Sequence, residues 1–83
     1  MNYVYILYSK KDKKFYTGKT SNLLVRLEKH IKGQVGSTKN RRPLVLVHCE
    51  VFKTGGEAFL REKELKYPSA GKLKSELRKR LVL

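Results

Sequence analysis

Tryptophan is absent from this 83-residue chain and cysteine occurs once, at Cys49. A lone cysteine excludes an internal disulfide and a Cys-x-x-Cys zinc site, and Cys49 is expected to be a small core residue. Acids are scarce as well. Seven Asp and Glu stand against twenty Lys and Arg, for a formal net charge of +13 and a pI near 10.1. No apolar run approaches the roughly 20 residues of a membrane span, and residues 1–10 lack the ordered basic, apolar and small-residue regions of a secretory signal. The expectation is a cytoplasmic or nucleoid-associated chain with no membrane partner.

What is present suits one small domain, because a chain of this length buries only about 60% of its unfolded surface and cannot divide that between two cores. Five Tyr and three Phe within a hydrophobic fraction of 40% supply the large side chains of such a core. The excess of basic residues points to a polyanion, since release of counterions from phosphates drives association without any reading of sequence.

Residues 3–8 are rich in β-branched and aromatic side chains, residues 9–14 are polar, and residues 15–18 are strand-like again, which predicts a β-hairpin. Ser21 is placed to cap a helix over about 22–31, with Gly33 as its stop. Helical projection puts Leu23, Leu24, Leu27 and Ile31 in one apolar stripe, with Arg26 and His30 on its shoulder at the edge of the core. Residues 33–43 are basic and polar, as in an exposed loop. Residues 44–52 are almost continuously apolar and fit a central strand. Thr54 and Glu57 form a capping-box pattern that opens a second helix, ending near Lys66 before Pro68 and a break at Ser69, Ala70 and Gly71. Leu73, Leu77 and Leu81 recur among basic residues as a third amphipathic helix, whose narrow apolar side does not suit a membrane surface.

One acid falls where an apolar residue is normal. The second helix projects Ala58, Phe59 and Leu65 to one side with Glu62 at its centre, and an inward carboxylate needs a cation, either a side chain or a metal. Tyr5 and Tyr16 lie on the paired strands of the hairpin, so their hydroxyls can converge, and Arg26 and His30, one helical turn apart, can reach the same place.

The order of these residues resembles a known pattern. Val4-Tyr5-Ile6 followed by Tyr16-Thr17-Gly18 resembles the paired motifs that name the GIY-YIG nucleases. Residues 20–30 resemble the helix after the second motif, with Arg26 and His30, and residues 57–66 resemble the helix that carries the metal-binding glutamate, which places that role on Glu62. The match spans 3 to about 67, leaving residues 70–83 as a basic C-terminal helix. The resemblance implies an α+β fold, a small three-stranded antiparallel sheet flanked by helices. It implies a metal-dependent endonuclease acting on DNA, structure-directed or weakly sequence-specific, of the kind used in repair and recombination. RNA stays open as a partner, and a non-catalytic nucleic-acid-binding module is the alternative. One Mg²⁺ or Mn²⁺ ion on Glu62 and no small-molecule cofactor are expected. Tyr5, Tyr16, Arg26, His30 and Glu62 are the expected catalytic set, with Gly18 allowing close approach beside Tyr16. Lys19, Lys39, Arg41, Arg42, Lys72, Lys74 and Arg78 are the expected phosphate contacts.

Overall fold

The computed structural model describes residues 1–66 and 71–82. Along the chain run β1 (Asn2–Ser9), β2 (Phe15–Thr20), α1 (Leu23–Ile31), a 3-10 turn (Lys39–Arg41), β3 (Leu44–Phe52), α2 (Gly55–Lys66) and α3 (Gly71–Val82). The predicted hairpin is there: β1 and β2 pair antiparallel, with Tyr5 opposite Gly18 and Leu7 opposite Tyr16. β3 pairs antiparallel with the other side of β1, so the sheet order is β2-β1-β3. This is the expected three-stranded antiparallel sheet flanked by helices, an α+β fold.

The central position predicted for residues 44–52 belongs instead to β1. Val4, Tyr5, Ile6 and Leu7 are buried in succession, as only a strand covered on both faces allows, whereas Leu46 and Val51 of β3 are 40% and 55% exposed. Cys49, expected in the core, lies on the surface of this edge strand. A run of apolar residues measures local hydrophobicity, while its place in the sheet depends on which strand finds two partners.

Side chains alternate along β1, so its two faces carry different work. Val4 and Ile6 join Ala58 and Leu65 of α2 and Leu77 of α3 in the core, with Phe15, Val47, Phe52 and Leu73 packed around them. The Glu57 amide donates to Thr54 Oγ1 at 3.2 Å, as the capping box predicts, but the Glu57 carboxylate accepts the Thr54 hydroxyl at 2.9 Å rather than the Thr54 backbone N–H. Arg61 ties α2 to β3 by a fork onto Glu50, at 2.7 and 3.0 Å. The second helix ends at Lys66 as expected, while Pro68, Ser69 and Ala70 lie outside the described residues. In α3, Leu77 is 2% exposed and Leu73 packs against the same core, while Leu81 at the end of the stripe is 38% exposed. Among the described residues no helix is long and apolar enough to cross a membrane.

Candidate active site

The other face of β1 presents Tyr5, and its setting begins with a missing side chain. Gly18 sits directly across the strand pair from Tyr5, and a Cβ there would fall well inside contact distance of Tyr5 Cζ and Oη and 2.9 Å from Cε2. The outer half of the phenol ring therefore occupies the space a side chain at position 18 would need. Tyr16, two pairs further along and so on the same face, stands with its ring centroid 6.5 Å from that of Tyr5.

α1 closes over these tyrosines with an unexpected face. Its N-cap is Asn22, whose side chain accepts the Val25 amide at 3.3 Å, rather than Ser21, and the helix starts one residue later than expected. Only part of the predicted apolar stripe turns inward: Leu23 and Leu27 are half-buried but Leu24 and Ile31 are 80% and 65% exposed, while His30 is fully buried and Arg26 half-buried. The polar shoulder faces the sheet because it has partners there. Tyr5 Oη and His30 Nε2 are 2.8 Å apart, and Arg26 Nε donates to Tyr5 Oη across 3.4 Å. His30 also stacks edge-on against both rings, with centroids 5.6 Å from Tyr5 and 5.3 Å from Tyr16.

Behind His30 stands Thr38, buried and with Oγ1 2.7 Å from His30 Nδ1. Thr38 escapes sequence reading because it looks like one more polar residue of a basic loop; no periodicity marks it. Burial and the neighbouring Arg26 charge hold the His30 imidazole down to about 4, so at neutral pH it is uncharged and has one donor and one acceptor nitrogen. One assignment satisfies every group: Arg26 donates to the Tyr5 oxygen, the Tyr5 hydroxyl donates to Nε2, and Nδ1–H donates to Thr38. With the other tautomer, the Tyr5 proton has no acceptor among these groups. Burial also raises the Tyr5 phenol above its usual value, against the opposing pull of Arg26, and Tyr16 and Glu62 add to the rise. The Tyr5 hydroxyl in turn raises the Arg26 guanidinium.

The state of His30 yields a measurable sign. Its folded value of about 4 lies below the ordinary 6.5, so the unfolded chain binds more protons between those values, and stability falls as pH drops from 6.5 toward 4. The depression corresponds to about 3 kcal/mol at most. Denaturant midpoints followed from pH 7 to 5.5, where carboxylates stay ionised in both states, are expected to fall in the wild type and to stay nearly flat in His30→Gln. Equal slopes in the two proteins would refute the buried, neutral imidazole.

Glu62 occupies the inward side of α2 but is not sealed in: its side chain is 19% exposed, and its cation is Lys66 one turn on, at 3.5 Å. Phe59, also expected inward, is 51% exposed and lies beneath the ammonium groups of Lys19 and Lys63, 5.8 and 5.9 Å from its ring centroid. Glu62 is close enough to the Tyr5 hydroxyl to act on it electrostatically. The structure thus gathers Tyr5, Tyr16, Arg26 and His30 into one cluster, with Glu62 beside it.

The model of the GIY-YIG catalytic domain matches residues 1–74. The chain belongs to the GIY-YIG family. It is 46% identical over 66 residues to a UPF0213 protein of Staphylococcus haemolyticus, covering 78% of this chain and 79% of that one. A UPF0213 protein of Syntrophus aciditrophicus is 45% identical over 67 residues, covering 78% and 76%. The solution NMR structure of a UPF0213 protein from Bacillus halodurans is similar with a TM-score of 0.56 and 36% identity, over 93% of this chain and 85% of that one. GIY-YIG membership supports a nuclease with a nucleic-acid substrate.

The basic residues of this GIY-YIG chain divide by what they already hold. Arg41 pairs with Asp12 at 2.8 Å and donates to the Phe15 carbonyl, bracing the loop against the hairpin. Arg42 lies over Gly33, at φ +75, and donates to the carbonyls of Lys39 and Ile31, closing the end of α1. Arg78 covers the Phe15 ring at 4.8 Å and donates to the Lys13 carbonyl. Lys39 and Lys72 are exposed and Lys74 is half-buried.

Proposed function

We propose that this GIY-YIG chain is a divalent-metal-dependent endonuclease that hydrolyses DNA phosphodiester bonds, working as one domain. The carrying observation is that Tyr5, Tyr16, Arg26 and His30, drawn from β1, β2 and α1, share one hydrogen-bonded and stacked cluster beside the Glu62 carboxylate of α2.

The donor set fits one weakly held ion. Among the described residues no three His, Cys, Asp or Glu side chains gather as a metal cage, and Glu62 is the carboxylate that acts on Tyr5. Mg²⁺ and Mn²⁺ accept this, since Mg²⁺ commonly keeps several waters and binds one or two carboxylates together with substrate phosphate oxygens. Such an ion, when bound, polarises a phosphoryl oxygen and offsets developing charge.

The rest falls to the side chains. Arg26 remains charged at any working pH and can fork onto two phosphate oxygens, an arrangement Lys cannot reproduce. Tyr5 is a neutral phenol whose proton is directed at His30 Nε2, which leaves its oxygen turned to Arg26 and to an incoming water. His30 orients that phenol as a neutral imidazole, and Thr38 accepts the Nδ1–H of that tautomer. Tyr16 walls the cluster, and the exposed lysines meet flanking phosphates.

Incubation of the purified chain with nicked, branched and plain duplex DNA is expected to give cleavage with Mg²⁺ or Mn²⁺ and none in excess EDTA. Binding without product under every metal, weakening steeply with salt, would instead mark a non-catalytic nucleic-acid-binding module.

A further inference from the structure

On the side of the sheet away from Tyr5, the hairpin end and α3 enclose an open pocket of about 530 Å³ lined by Tyr8, Lys10, Lys13, Arg78 and Leu81. Its volume lies within the range of small-molecule sites. Among the described residues its lining combines an aromatic ring and an aliphatic side chain with three cations and no acid. Asp12, the acid of this loop, is turned to Arg41. Strand alternation puts Tyr8 on the same face as Ile6, so the pocket is separate from the cluster around Tyr5.

Two features show that the pocket is held in shape. The Tyr8 ring is packed against Phe15 at a centroid distance of 5.4 Å, which fixes its plane. Lys13 has φ 60, a left-handed conformation that glycine adopts freely and lysine does not, and its carbonyl accepts Arg78 Nη1 at 2.9 Å. Nothing in the turn itself requires a lysine at this strained position. A guanidinium carries five N–H donors, so Arg78 keeps others free while holding the Lys13 carbonyl.

We propose that this pocket seats one nucleotide of the bound strand, its base against Tyr8 and Leu81 and its phosphate among Lys10, Lys13 and Arg78. Aromatic faces take any base by stacking, and clustered cations take the phosphate. The proposal rests on the nucleic-acid reading of the family and adds a second point of attachment, which anchors the strand away from the scissile bond.

The test is a metal-free NMR titration of the whole chain with deoxyadenosine 5′-monophosphate, deoxyadenosine and inorganic phosphate. The monophosphate is expected to give saturable shifts centred on Tyr8, Lys10, Lys13, Arg78 and Leu81, with either fragment binding at least fivefold more weakly. Lys13→Gly relieves the left-handed strain, so it is expected to melt no lower than wild type yet lose at least fivefold in affinity. Tyr8→Leu is expected to weaken the monophosphate and leave phosphate unchanged. Shifts no larger here than at Lys39 and Lys72, shifts centred on Tyr5 and Arg26, phosphate binding as tightly as the nucleotide, or an unaffected Lys13→Gly would each overturn the proposal. Because the titration detects no cleavage, a chain that binds here and never cuts sinks only the hydrolase reading. One that cuts while this pocket stays silent sinks only the pocket.

Discussion

Glu62→Gln is expected to slow single-turnover cleavage by about a thousandfold, about 4 kcal/mol of transition-state stabilisation, while DNA binding stays within twofold of wild type. The substitution keeps the size of the side chain and removes only its charge. What it gives up in stability is a pair with Lys66 at 3.5 Å, whose ammonium side is 56% exposed, so the loss is a few tenths of a kcal/mol. Binding does not fall for want of charge, because the chain becomes one unit more positive. The direction of the rate change separates two roles. Glu62 raises the Tyr5 phenol, so its neutralisation makes Tyr5 easier to ionise. If Glu62 acted only through Tyr5, Glu62→Gln would cut as fast as wild type or faster at neutral pH. A thousandfold loss, partly recovered at high Mn²⁺ concentration, is what the proposed role of Glu62 as a metal ligand predicts. Unchanged cleavage would end the assignment of Glu62 to the metal.

The parts of this fold that a sequence shows are those decided within a few residues. The hairpin follows from two β-rich runs around a polar loop, and α2 starts and ends where it was read, with the Glu57 amide on Thr54 Oγ1 as the half of the capping box that forms. The cap of α1 was read one residue early, at Ser21, and Asn22, whose side chain is as good an acceptor, takes the role. What could not be read are choices made across the chain. β3 is as apolar as a central strand, yet β1 holds the centre because β2 and β3 both pair with it. The orientation of α1 is set by hydrogen bonds rather than by oil: Leu24 and Ile31 stay outside because His30 and Arg26 satisfy the Tyr5 hydroxyl and each other's surroundings. The tyrosines, Arg26, His30 and Glu62 were legible as candidates because unusual residue types stood at inward or boundary positions. Thr38 was not, since only the fold brings residues 30 and 38 together over a buried ring nitrogen.

Gly18→Ala is expected to lower the melting temperature by roughly 5–15 °C and to cut the cleavage rate by about a hundredfold or more. Propensity alone predicts the opposite, since glycine inside a strand is less stable than alanine by about 0.5–1 kcal/mol. Contact decides against it. The added Cβ meets the Tyr5 ring at Cζ and Oη, and that ring cannot swing aside, because Tyr5 is fully buried and its hydroxyl is held by His30 and Arg26. Either the strands part or the ring tilts, and overpacking of this kind costs about 1–3 kcal/mol, more than propensity returns. The catalytic loss follows from the same displacement, as a shift near 1 Å at an orienting hydroxyl costs on the order of a hundredfold. Tyr5→Phe with Gly18→Ala supplies the control. With the hydroxyl gone, the second substitution has little activity left to remove, so its effect on rate shrinks while its effect on stability persists in part. If Gly18→Ala alone melts higher than wild type and cuts normally, then Tyr5 does not lie over Gly18 and the geometry of the whole cluster is wrong.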